Sequence, residues 1–197
     1  MAKIKICGLR SLKDIEIVNR YQPDYVGFII NYPKSFRSVG IEELKKLKKD
    51  LDPKIQSVGV FVDEEIDIVI SLLKEGIIDF AQLHGHEDEA YIQKVKSFGP
   101  TIKAFQIRSK KDILKALESP ADYILLDQGK GSGQSFDWSL IPTIERPFFL
   151  AGGITLENID ATKDLHPYAI DVSSSVETDR RKDENKVREM IQKGRKI

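Results

Sequence analysis

Lys3-Ile4-Lys5-Ile6-Cys7-Gly8-Leu9, followed closely by Ser11-Leu12-Lys13-Asp14, sets the unit from which the chain is built. Ile4 and Ile6 are β-branched and the run stops at a glycine, which reads as a short strand. Ser11 and Asp14 form a capping-box pattern that opens a helix. Leu12, Ile15 and Val18 then recur at helical spacing until Pro23. The only cysteine of the chain, Cys7, falls at the C-terminal end of that strand.

The unit repeats. Apolar runs at residues 25–30, 55–62, 79–83, 101–107, 123–127, 147–151 and 168–172 read as seven further strands. Helical patterns separate them. Ile41, Leu44, Leu47 and Leu51 line one face. Asp63 is the expected cap for Ile66, Val69, Ile70 and Leu73, with Gly76 as the stop. Acidic residues 87–89 precede Ile92 and Val95. Ser109 and Asp112 repeat the capping-box pattern before Ile113 and Leu117. A helical turn is expected over 137–141, a helix capped by Thr155 carries Leu156 and Ile159, and a last helix from Asp183 carries Val187, Met190 and Ile191. Strict strand–helix alternation gives a parallel sheet. Eight repeats favour closure into a single-domain (β/α)8 TIM barrel spanning residues 1–197. An open doubly wound sheet is the other arrangement, and it would call for edge strands more polar than these.

Lys plus Arg and Asp plus Glu both number 31, so net charge gives no reason to expect nucleic acid or an acidic membrane surface. No apolar run approaches membrane-spanning length. One cysteine allows no internal disulfide, and the first residues lack a charged segment followed by an apolar one; both fit the cytoplasm.

In barrels of this kind the chemistry lies at the C-terminal ends of the strands. There the sequence puts Cys7, Arg37, Gln82, His84, Asp127, the Gly131-Ser132-Gly133 loop, Gly152-Gly153, and Asp171 with Ser173, Ser174 and Ser175. Gly152, Gly153, Ser174 and Ser175 follow strands seven and eight, the usual phosphate-binding loops of the fold, where glycine admits close backbone N–H groups and serine adds hydroxyl donors. Each feature also has a structural reading: Cys7 as a small buried hydrophobe, Asp127 as a cap, Arg37 as a solvated charge, Gly-Gly as a tight turn. His84 and His86 lack companions for a metal site, so no metal is expected.

Seven motifs in register from residue 3 to about 177 carry a family resemblance. Lys5-Ile6-Cys7-Gly8, Pro33-Lys34-Ser35-Phe36-Arg37, Val58-Gly59-Val60-Phe61, Gln82-Leu83-His84-Gly85, Gly131-Ser132-Gly133 with Phe136-Asp137-Trp138, Leu150-Ala151-Gly152-Gly153 and Asp171-Val172-Ser173-Ser174 resemble the phosphoribosylanthranilate isomerases of tryptophan biosynthesis. The resemblance implies an Amadori rearrangement without metal or cofactor, by a monomer or homodimer acting on a phosphosugar. It implies Asp127 as acid, Cys7 as base and Arg37 as the partner of the anthranilate carboxylate. Gln82, His84 and the Gly131–Gly133 loop would meet the substrate, and Gly152, Gly153, Ser174 and Ser175 its phosphate. The chain departs from the family's pattern at Lys130 and Ser132, where Gly and Thr are common, at Phe36, where Pro is common, and at Ser175, usually Gly. Two rivals stay open: a phosphosugar barrel enzyme of different specificity, and a non-catalytic phosphosugar-binding barrel. Binding alone needs neither Cys7 nor Asp127.

Overall fold

The computed structural model describes residues 1–127, 138 and 141–197. Eight parallel strands close on themselves: β1 (Lys3–Cys7), β2 (Tyr25–Ile30), β3 (Gln56–Phe61), β4 (Phe80–Leu83), β5 (Thr101–Gln106), β6 (Tyr123–Asp127), β7 (Phe148–Ala151) and β8 (Ala169–Val172). Each pairs with the next, and β8 returns to β1 with Lys3 beside Ala169 and Ile6 beside Val172. The chain is a (β/α)8 barrel. Ser38–Val39 adds a two-residue strand along β2, and Glu177–Thr178 pairs with Arg181–Lys182 as a hairpin.

Helices α1 (Leu12–Tyr21), α2 (Ile41–Asp50), α3 (Ile66–Lys74), α4 (Glu89–Lys96), α5 (Lys110–Leu117) and α6 (Glu184–Gly194) pack outside. The capping box at Ser11 and Asp14 is formed in both directions, and Asp183 caps α6 by accepting from the N–H groups of Asn185 and Lys186. Three expectations change. The Ser109 hydroxyl makes no cap bond at α5 and donates to the Asp112 carboxylate instead. Asp63 does not cap α3, which starts after Glu65; Asp63 sits at φ +52° and accepts instead from the N–H and the ring of His86. The segment after β7 is a 3₁₀ helix, Ile159–Leu165, rather than an α-helix from Thr155. Here Asn158 accepts from the Thr155 N–H and donates to the Gly153 carbonyl, so side chains take backbone groups that an α-helix would use. Most of the turn expected over 137–141 lies outside the described residues.

The barrel's alternation explains β1. Ile4 and Ile6 join the core between strands and helices, while Lys3, Lys5 and Cys7 point inward at successive levels. The bottom is closed by four aromatic rings from alternate strands: Tyr25, Phe80, Tyr123 and, just ahead of β8, Tyr168. Lys3 Nζ meets the Tyr168 hydroxyl at 2.7 Å in this layer. Asp24, Asp79 and Asp122, each one residue ahead of an even-numbered strand, accept from the N–H of Ile4, Ser57 and Thr101 on the strand before. These carboxylates tie the lower rim pairwise and leave the opposite rim free for chemistry.

Candidate active site

At the C-terminal rim lies a cavity of about 670 Å³. It brings together Cys7, Arg37, Gln82, His84, Asp127, Gly152, Gly153, Ser174 and Ser175, all at or just beyond strand ends. Gly131, Ser132 and Gly133 lie outside the described residues. The wall is not only polar: Ile29, Val60, Val62, Leu125 and Ile154 also line it, which suits a flat apolar group next to charged ones.

Cys7 ends β1 opposite Gly27 of β2. A Cβ at Gly27 would stand 2.6 Å from Cys7 Sγ and 3.2 Å from Lys5 Nζ, so glycine there keeps room for the thiol and the ammonium together. Lys5 is fully buried and paired with Asp171 of β8 at 2.8 Å. Burial works against its charge, but the attraction of Asp171 and then of Cys7 more than offsets this and holds Lys5 above the ordinary lysine range. For Cys7, burial is the largest influence and pushes the thiol up; Lys5 and Lys182 pull it down and Asp171 adds to the rise. Asp171 Oδ1 is buried and has no hydrogen-bond partner among the described residues.

On the facing wall, Gln82 Nε2 lies 3.2 Å from His84 Nδ1, and His84 Nε2 lies 3.4 Å from Asp127 Oδ2. A neutral imidazole accepting from Gln82 at Nδ1 carries its proton on Nε2, toward Asp127. Arg37 is buried and grips Glu177 through Nε at 2.7 Å and Nη2 at 2.6 Å. Its flank lies against Gly8 (φ +83°), where a Cβ would come 2.5 Å from Arg37 Cδ. Gly152 and Gly153, at φ +85° and +68°, turn the chain out of β7. Ser174–Val176 forms a 3₁₀ turn after β8. Among the described residues no group of three His, Cys, Asp or Glu side chains could hold a metal ion.

Sequence reasoning passed over Lys5, Glu177 and Lys182. Once Cys7 is taken to face the interior, Lys5 two residues earlier on the strand faces it too. Glu177 carries no local signal.

A thiol, an imidazole and carboxylates gathered at the C-terminal mouth of a closed parallel barrel are the arrangement of small-molecule enzymes of this fold. The sequence model of N-(5′-phosphoribosyl)anthranilate (PRA) isomerase matches residues 4–193. The chain belongs to that family. An N-(5′-phosphoribosyl)anthranilate isomerase of Clostridium kluyveri is 45% identical over 202 residues, covering all of both chains. That of Endomicrobium trichonymphae is 42% identical over 199 residues, 97% of each. Among solved structures, the phosphoribosyl anthranilate isomerase of Thermotoga maritima superposes with a TM-score of 0.89 at 34% identity over the whole of both chains. An isomerase solved in complex with reduced 1-(o-carboxyphenylamino)-1-deoxyribulose 5-phosphate gives 0.87 at 32%, again over both whole chains.

Proposed function

We propose that the chain isomerises N-(5′-phosphoribosyl)anthranilate to 1-(2-carboxyphenylamino)-1-deoxyribulose 5-phosphate, a step of tryptophan biosynthesis, with Asp127 as general acid and Cys7 as general base. The observation that carries the assignment is that both groups open into one cavity that also holds Arg37 and the loops after β7 and β8. The protonated Asp127 carboxyl gives its proton to the furanose ring oxygen. The bond from C1′ to that oxygen breaks, its electron pair stays on oxygen, and the anthranilate nitrogen lone pair forms the C1′ iminium. Cys7, as thiolate, takes the proton from C2′, and the electrons of that bond move to neutralise the iminium nitrogen. The resulting enol loses its hydroxyl proton and gains one at C1′ to give the ketone.

A thiol suits the base role because its pKa is tunable and the iminium acidifies the C2′ proton. Arg37 holds the anthranilate carboxylate, whose ring rests on the aliphatic wall. Gly152, Gly153, Ser174 and Ser175 take the phosphate, while Gln82, His84 and the 131–133 loop complete the substrate contacts. Ser175 adds a side chain beside the phosphate, either as a hydroxyl donor or as bulk that narrows the site. The reaction as proposed uses no metal or cofactor. It runs in the cytoplasm in one domain, by a monomer or a homodimer; a Thermotoga maritima relative is described as dimeric. No described helix is long and apolar enough to cross a membrane.

The test is Asp127→Asn, which keeps size and cannot deliver the proton. Turnover of freshly generated substrate, followed by loss of anthranilate-type fluorescence, should fall at least about 10²-fold. Affinity for the reduced product analogue should hold. Collapse of both makes Asp127 a structural residue; loss of neither moves the acid elsewhere.

A further inference from the structure

Arg37 does not enter the cavity as a free cation. Its guanidinium has five N–H donors in one plane. Glu177 takes the side edge, with Nε donating to Oε1 at 2.7 Å and Nη2 to Oε2 at 2.6 Å. The two side chains are 9% and 7% exposed, so water competes little for these bonds. The guanidinium carbon also lies 4.2 Å from the centre of the Phe36 ring, which fixes the plane. A group held by its edge and by its face cannot turn. The end edge carries one N–H on Nη1 and one on Nη2 side by side, the spacing a carboxylate accepts, and Arg37 lines the cavity. No acceptor among the described residues is recorded for Nη1.

Charge follows the same logic. An Arg–Glu pair alone is neutral and has little reason to attract an anion. Here Lys182, its side chain 1% exposed, also donates to Glu177, at 2.8 Å. The trio keeps a net positive charge while each member has a partner. Glu177 stays ionised between them: burial favours its neutral form, but the hydrogen bonds from Arg37 and Lys182 outweigh that and hold it below the ordinary carboxylate range. The hairpin carrying Glu177 and Lys182 directly follows the Ser174–Val176 turn. One loop thus supports both the proposed phosphate contact and the arginine.

We propose that Glu177 is a positioning residue, which with Lys182 presents the end edge of Arg37 to the substrate's aromatic carboxylate and so sets the preference for a carboxylated ring. The inference rests on the reading of Arg37 as the carboxylate partner.

The experiment measures dissociation constants for reduced 1-(o-carboxyphenylamino)-1-deoxyribulose 5-phosphate and for the same compound lacking the carboxyl group, in the wild type, Arg37→Ala, Glu177→Gln and Glu177→Asp. The ratio of the two constants reports the preference, and a merely structural loss would weaken both alike. Arg37→Ala should abolish most of the ratio. Glu177→Gln has the right size but turns an amide N–H toward an arginine donor, and should lower the ratio at least about tenfold, the scale of a lost charge-assisted hydrogen bond. Its KM for the natural substrate should rise more than its kcat falls. Glu177→Asp keeps the charge at shorter reach and should fall between; it carries the test alone if the Gln variant does not fold. An unchanged ratio in Arg37→Ala overturns the reading of Arg37. A collapsed ratio there with an unchanged one in both Glu177 variants overturns the positioning role. Tighter binding of the carboxylated compound in Glu177→Gln would mean that Glu177 competes with substrate, and would overturn it too.

Discussion

Gly27→Ala adds one methyl group beside Cys7, and the structure says how far it intrudes. The new Cβ would stand 2.6 Å from Cys7 Sγ and 3.2 Å from both Cys7 Cα and Lys5 Nζ. Comfortable contact begins near ~3.5 Å, so the thiol must retreat by about 0.9 Å or more. The strands cannot part easily, because Cys7 and Gly27 are register partners in the closed sheet. The adjustment therefore falls on the thiol and on the lysine behind it. Overpacking of this kind costs about 1–3 kcal/mol of stability. A displacement near 1 Å at a reacting group costs up to about 10²-fold in rate. Gly59→Ala on β3 is the matched control: its Cβ would crowd Phe61 and Ile78 at 2.8 and 2.9 Å, with no Cys7 or Lys5 atom among its nearest neighbours. Thermal unfolding by circular dichroism and kcat from the fluorescence assay separate the two effects. Both variants should lose stability, and only Gly27→Ala should lose one to two orders of magnitude in kcat. A folded Gly27→Ala enzyme with kcat within twofold of wild type would falsify the claim that this glycine makes room for a reacting thiol.

Cys7→Ser should lower turnover by about 10²–10⁴-fold and serves as the blank for titrating the thiolate by its ultraviolet absorbance; in the free enzyme half-ionisation should come above the ordinary 9.0, because burial outweighs Lys5, and a value at or below it would contradict that balance. Asp79 accepts from the Ser57 N–H and hydroxyl, both at 2.7 Å, and from Lys48 at 2.9 Å; burial favours its neutral form, but these bonds prevail and depress its pKa below 3.8. Its contribution is therefore complete above that value and lost as pH falls through the folded-state pKa, so Asp79→Asn should cost roughly 1–2 kcal/mol in urea titrations at neutral pH, and a deficit that persists unchanged into strong acid would refute the assignment.

Strand and helix positions were legible because the period of the pattern changes from strand to helix along the whole chain, and closure followed from the count of eight. The interior of β1 was half legible. Lys3-Ile4-Lys5-Ile6-Cys7 alternates, but nothing local says which face looks inward, and isoleucines suggest a core. In a barrel the larger apolar core lies outside the sheet, under the helices, so the lysines turn in. Lys5 finds Asp171 only across 166 residues, and Arg37 finds Glu177 across 140. Such pairs exist only once the barrel closes, which no window of sequence reports. Asp63 failed as a cap for a related reason: a donor brought near by β4, the His86 N–H, captured it.

The charges around the cavity give the chemistry an order. Beside the thiol, Lys5 is tied to Asp171, and Arg37 and Lys182 are tied to Glu177; burial pushes the Asp171 carboxyl up and the Lys182 ammonium down, while the two cations hold Glu177 ionised. In the proposed cycle the substrate carboxylate adds a negative charge to this group when it binds Arg37. Lys5 and Lys182 favour a thiolate at Cys7, but both are shared with carboxylates and burial outweighs them. On the proposed mechanism a further positive charge appears when the ring opens and the iminium forms within reach of Cys7. A thiolate is thus favoured at the moment a carbon-bound proton becomes acidic enough to remove. In the proposed cycle the acid step at Asp127 does more than open the ring: it creates the charge that stabilises the base across the cavity.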